Sequence, residues 1–308
     1  MDIVPFEARG VFYCYTFLMS LHPILKDKTV HVILISTIVV LSGTTIYFRF
    51  FYLPISPIDQ AFLTTFGHFE QELSLQDVPE EIKPGSMRVP ILIYHSMAPH
   101  TPTQSPLQKY YDVAPEAFIR QMEYLKNENY TVIDLDSLVG ALKRNIRLPP
   151  KSVVLTFDDG WRSQYSYAFP VLKKYGFTAT FFIYTDVIDH NYFLTWDQVR
   201  LMRNSGMTIG GHTKSHPYLP DIHDSAQLRE EIIGSKLIIE DQIRAKINLF
   251  AYPFGHYRDE VIGIVKEAGY TAARSTYKGI NNTKDDLYTL KAVEVTDDFS
   301  KFVLNLGH

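Results

Sequence analysis

Beyond residue 89 the chain alternates short apolar runs with amphipathic stretches of helical period. Residues 90–94, 131–133, 153–155, 178–184, 207–209 and 250–252 are brief, apolar and bounded by Gly, Pro or polar residues, the signature of strands. Between them, residues 115–127 place Phe118, Met122 and Leu125 on one side of a helix. Further helices are predicted over 136–145, 164–175, 196–204, 225–246 and 259–268, with Gly206 and Gly269 just past two of their ends. Repeated βα units predict an α/β fold with parallel strands. Because the polar motifs fall at the C-terminal ends of those strands, a (β/α) barrel is the expected architecture.

The first 88 residues follow a different pattern. Residues 30–48 carry no Asp, Glu, Lys or Arg and are long enough to cross a hydrocarbon layer of about 30 Å, so they read as one transmembrane signal-anchor helix. Lys26 and Lys28 before it and Arg49 after it give a slight positive-inside bias. The expected order is a cytoplasmic segment at 1–29, the anchor at 30–48, a spacer at 49–88 and an extracytoplasmic barrel domain at 89–308. The spacer carries Pro54, Pro57 and Pro84 and an acidic stretch from Glu70 to Glu81. Localisation at the cell membrane, as a single-pass protein, follows from that order.

Composition narrows the class. Hydrophobic residues make up 46% and charged residues 21% of 308, which supports a folded core and excludes a disordered chain. A net charge of −4 without any basic run excludes a nucleic-acid binder. Cys14 is the single cysteine, so no intrachain disulfide forms and any metal site uses His and carboxylate.

The richest chemistry lies in Thr156-Phe157-Asp158-Asp159-Gly160, two adjacent carboxylates where a strand meets a turn. Successive side chains of a strand diverge, so one acid can hold a metal while the other reaches a water or substrate atom. The competing reading is a solvated turn. Downstream, Gly210-Gly211-His212-Thr213-Lys214-Ser215-His216-Pro217 offers two imidazoles four residues apart. Pro217 biases His216 away from helix, which puts the pair on a loop at a strand end. Two His and one carboxylate suit a zinc-like ion and leave positions open, as a catalytic site requires. Two other strands, ending in Tyr94-His95 and in Tyr252-Pro253-Phe254-Gly255, complete the set.

In this order the motifs resemble the polysaccharide deacetylase family, the NodB-homology enzymes of carbohydrate esterase family 4, and most closely its poly-N-acetylglucosamine deacetylase branch. The resemblance covers about residues 89–295 and implies a distorted, incomplete (β/α) barrel. It implies Asp158 as general base, and Asp159, His212 and His216 as ligands of a divalent ion, most commonly zinc. His95 takes the general-acid role that many members give to a C-terminal His, and Trp196, Tyr252 and Phe254 are expected at the substrate. The implied reaction removes N-acetyl groups from an N-acetylglucosamine polymer, whether poly-N-acetylglucosamine, peptidoglycan or a chitin-like chain. An O-acetyl esterase acting on a xylan-like polymer, or a silent membrane-tethered carbohydrate-binding protein, are the alternatives. The Arg that commonly orients the base is replaced by Ala251, leaving the partner of Asp158 open, with Arg274 the nearest candidate. The sequence carries no reading of the oligomeric state.

Overall fold

Seven parallel strands close on one another in this computed structural model, which describes residues 85–307 and the pairs Ile33–Leu34 and Phe51–Tyr52. The strands are β1 (Ile91–Tyr94), β2 (Thr131–Ile133), β3 (Ser152–Phe157), β4 (Thr180–Ile183), β5 (Thr208–Gly211), β6 (Leu249–Ala251), β7 (Ala272–Lys278) and β8 (Leu290–Glu294). Neighbours run β3, β4, β5, β6, β7, β8, β1, and β1 returns to β3 with Ile91 opposite Val154 and Tyr94 opposite Phe157. β2 is the eighth, an edge strand on β3 with Thr131 opposite Ser152. The expected (β/α) barrel is therefore present in an incomplete, seven-stranded form.

Strand parity sorts the core into two clusters. Ile91, Ile93, Val154, Phe182, Leu249, Ala251, Ala272, Leu290 and Ala292 pack together, while Leu92, Tyr94, Val153, Leu155, Phe157, Phe181 and Ile183 belong to a larger cluster with the surrounding helices. One side chain in two thus points into the barrel and the next into the shell, which is why the strands read as unbroken apolar runs.

From residue 115 onward the α-helices are α1 (Pro115–Asn127), α2 (Leu135–Arg144), α3 (Phe169–Tyr175), α4 (Trp196–Asn204), α5 (Ser225–Arg229), α6 (Ser235–Ile243), α7 (Asp259–Glu267) and α8 (Phe299–Asn305). α1 buries Phe118, Met122 and Leu125, the side its spacing predicts. α2 starts at Asp134, whose carboxylate accepts from the Ser137 N–H at 2.6 Å, and its leucines join the barrel-interior cluster. Two predicted helices differ from a regular α-helix. The stretch over 164–175 opens with a π turn, Gln164–Ala168, before α3, and the long helix over 225–246 carries a π turn, Glu230–Gly234, between α5 and α6. Pro170 removes one backbone donor in the first case.

The N-terminal unit, Met1–His68, separates by contact from Phe69–His308. Of the helix expected over 30–48, only Ile33 and Leu34 are described; they are extended and pair antiparallel with Tyr52 and Phe51. The rest of that expected span lies outside the described residues. No helix among the described residues is long and apolar enough to cross a membrane.

Candidate active site

At the C-terminal ends of β3 and β5 three potential ligands converge. Asp159 Oδ1 lies 3.5 Å from His212 Nε2 and 3.3 Å from His216 Nε2, and the three ligand atoms all lie within 4.8 Å of one another. A tetrahedral ion with bonds of about 2.0–2.1 Å needs ligand separations of about 3.3–3.4 Å, so this group fits a zinc-sized ion. The outer contacts agree. His212 Nδ1 sits 2.7 Å from the Ala251 carbonyl, which turns Nε2 to the centre, and Asp159 Oδ2 accepts from Trp161 Nε1 at 3.0 Å, which leaves Oδ1 free for an ion. Burial lowers the His216 pKa to about 4, so its ring is neutral and able to ligate near pH 7. Burial alone would raise Asp159, yet its interactions with the surrounding imidazoles of His212, His216 and His95 hold its carboxyl well below the usual carboxylate range.

Strained backbone accompanies this convergence. Asp159 (φ 73°), Thr213 (φ 71°), His216 (φ 59°) and Phe254 (φ 59°) all occupy the left-handed region, which is costly for residues with a Cβ and concentrates at working sites. The two glycines before His212 are sterically required. A Cβ on Gly210 would meet the Phe182 ring at 2.5 Å, and one on Gly211 would meet the Tyr270 hydroxyl at 2.2 Å.

Asp158 has the parity of Val154, so it points into the barrel and is 3% exposed. Its Oδ2 is bonded by the Arg274 guanidinium, itself 0% exposed, while its Oδ1 is buried with no hydrogen-bond partner. Arg274 stands directly opposite Ala251 in the β6–β7 register. The cation absent from position 251 is thus supplied one strand over, with its carbon 5.4 Å above the Phe182 ring. This identifies the partner of Asp158 that the sequence left open.

His95 follows β1 and feels the charges of Asp159, Asp158, Arg274 and His212, with burial as the dominant influence lowering its pKa. Its Nδ1 lies 3.6 Å from Glu294 Oε2 at the end of β8, and its ring meets Tyr111 edge-on at 4.6 Å. The buried amide of Gln164, on the first π turn, donates to the carbonyls of both His95 and Asp158, tying the ends of β1 and β3 together.

The three aromatic expectations divide. Phe254 borders the ligand group, its ring 4.8 Å from that of His216. Tyr252, expected at the substrate, is instead core: it is 1% exposed and donates its hydroxyl to the Tyr288 carbonyl. Trp196 opens α4 and packs against the outer hydrophobic cluster, with its backbone N–H on Asp189 Oδ1. The indole touching the carboxylate is that of Trp161, stacked on Phe193 at 4.5 Å, and Tyr184 connects Phe193 to His216. Trp161 follows the Asp-Asp-Gly motif immediately, and that adjacency was the available signal; Gln164, Tyr184 and Glu294 carried none.

The chain has relatives among known proteins. Residues 145–273 match the family model described as polysaccharide deacetylase. YxkH of Bacillus subtilis, assigned by name to the polysaccharide deacetylases, is 29% identical over 69% of this chain and 73% of its own length. The poly-beta-1,6-N-acetyl-D-glucosamine N-deacetylase of Escherichia coli K12 is 25% identical over 57% of this chain, a match that spans only 32% of that longer protein. Among solved structures, the Streptococcus pyogenes deacetylase PplD, in complex with acetate, superposes with a TM-score of 0.67 at 27% identity, covering 72% of this chain and 99% of that one. IcaB from Ammonifex degensii gives 0.63 at 25%, covering 70% and 94%. The region matched to the polysaccharide deacetylase model, residues 145–273, holds the strand ends that bear Asp158, Asp159, His212 and His216.

Proposed function

We propose that this protein removes N-acetyl groups from an N-acetylglucosamine-containing polysaccharide, releasing acetate and leaving a free amine on the sugar. The single observation that carries the reading is the state of Asp158: one carboxylate oxygen is held by Arg274 and the other is buried and unpartnered beside a group able to hold a metal. A purely carbohydrate-binding barrel has no use for such a base.

Asp159, His212 and His216 would hold the divalent ion, for which the set of two imidazoles and one carboxylate favours zinc, and the ion when bound supplies Lewis acidity and a water of lowered pKa. Asp158 Oδ1 accepts the proton of the attacking water while Oδ2 stays on Arg274. The guanidinium keeps the carboxylate aimed. His95, on the end of the neighbouring strand β1, gives a proton to the departing nitrogen, without which an amide leaving group is expelled very slowly. Phe254, Trp161 and Phe193 border the group with apolar surface suited to an acetyl methyl and a sugar face.

Acetate release from N-acetylglucosamine oligomers, measured with and without added zinc, tests the reading. Release that depends on the ion and falls about 100-fold to 10,000-fold in Asp158→Asn is expected. Release only from acetylated xylan would transfer the chain to the esterases, and bound zinc with no acetate from any glycan would make it a binding protein. The apolar run at 30–48 is proposed, on its length and lack of charge, to tether the enzyme to the cell membrane with the barrel outside. Recovery of the full chain in a salt-washed soluble fraction would reject that tether.

A further inference from the structure

The loop that carries both imidazoles is held in place from a helix that contributes no ligand. Thr213, a β-branched residue, has φ 71° and His216 has φ 59°, costly conformations that persist only where the surroundings enforce them. Part of the enforcement is backbone: Thr185 and Asp186 donate to the carbonyls of Thr213 and Lys214, and the His216 N–H donates to Thr213 Oγ1. The rest comes from one carboxylate. Glu231 Oε2 accepts from the backbone N–H of Lys214 at 3.0 Å and of Ser215 at 2.9 Å, and Oε1 accepts from Ser215 Oγ at 2.6 Å.

Three hydrogen bonds to an anion that is 7% exposed are of the strong, charge-assisted kind. Glu231 sits on the π turn Glu230–Gly234, and single π turns inside helices recur at functional sites. The cation of the loop does not share this role, since Lys214 Nζ turns outward to Glu230 Oε1 at 2.6 Å.

We infer that Glu231 is a positioning residue for the metal group: its carboxylate fixes the loop between His212 and His216 so that both Nε2 atoms face Asp159 before any ion arrives. The inference rests on the proposed ligand set. With the negative charge removed, the hydrogen bonds from the Lys214 and Ser215 N–H groups weaken, the strained loop relaxes, and the two imidazoles separate. The ion must then reorganise the loop to bind.

Zinc affinity of the full-length chain, measured by competition with a chromophoric chelator, tests this in Glu231→Gln. The dissociation constant is expected to rise about 10-fold to 100-fold. The visible band of the cobalt-substituted protein weakens in parallel, while the melting temperature of the metal-free variant stays near that of the wild type. Glu230→Gln, on the same turn but bonded only to the outward-turned Lys214 ammonium and not to the loop backbone, keeps wild-type affinity. Ser215→Ala removes only one of the three bonds and is expected to weaken zinc about 3-fold to 10-fold, which decides the matter should Glu231→Gln fail to fold. Wild-type affinity in both variants, or a lower metal-free melting temperature with affinity unchanged, overturns the positioning role. Failure of the wild type itself to bind zinc would instead sink the ligand assignment beneath it.

Discussion

Asp158 and Arg274 form a buried ion pair across the barrel interior, with 4% and 0% side-chain exposure. Taking both charges out of water is expensive, and the pair persists because each compensates the other; removing one partner strands the second. Arg274→Met is therefore expected to lower stability by about 3–5 kcal/mol and to abolish most acetate release, read by denaturant unfolding and by initial rates. In Asp158→Asn with Arg274→Met, stability recovers and activity does not. A double variant no more stable than Arg274→Met would mean that the guanidinium acts through packing on Phe182 instead. The imidazoles add a pH dependence. An unfolded His titrates near 6.5, whereas burial holds folded His216 near 4 and lowers His95 as well. Between these values the unfolded chain binds protons that the folded chain refuses, so stability is full above about pH 6.5 and is lost as pH falls towards 4. Metal-free protein is expected to show this slope in melting temperature, with the His216 ring titrating near pH 4 by NMR. A midpoint near 6.5 would contradict it.

At the scale of elements, strand ends do the work, and they were the most legible feature of the sequence. Asp158-Asp159-Gly160, His212-Thr213-Lys214-Ser215-His216 and His95 were readable because each follows an apolar run that forms a strand, and parallel strands deliver their C-terminal ends to one rim. Arg274 was named but not placed, since its role depends on the register that sets it opposite Ala251 and on the parity that turns it inward. Neither property exists within one segment. Glu231 and Gln164 were invisible for another reason: each works from a π turn, and the hydrophobic period around it reads as ordinary helix. Tyr252 was misplaced because a strand-end aromatic reads alike whether its ring turns to a substrate or to the core. Gly210 and Gly211 looked like punctuation and are instead close-packing positions. In Gly211→Ala the new methyl would have to displace the buried Tyr270 hydroxyl beside His212. The variant is expected to lose about 1–3 kcal/mol of stability and part of its zinc affinity, by thermal unfolding and chelator competition. Unchanged values would show that the β5–β6 seam is looser than its geometry indicates.

For the molecule as a whole, closure of the ring matters more than any single strand. β1 returns to β3, so the seven strands present no open edge between them, and the proposed catalytic and ligand residues all lie on this ring or on loops leaving it. The contact division falls at His68, ahead of the first barrel strand. A fragment of residues 69–308 is therefore expected to fold alone, unfold in one cooperative transition, bind one zinc per chain and deacetylate a soluble oligomer at the rate of the full protein. Circular dichroism, metal analysis and acetate release test each part separately. If the fragment folds and binds zinc yet turns over at less than about a tenth of the full-length rate, more than about 1.4 kcal/mol of transition-state stabilisation would have to come from the first 68 residues, and the barrel would not be the complete catalyst. The same pair of proteins tests the tether. With 30–48 as an anchor, the full chain sediments with membranes and the fragment does not, while activity on a soluble oligomer is common to both.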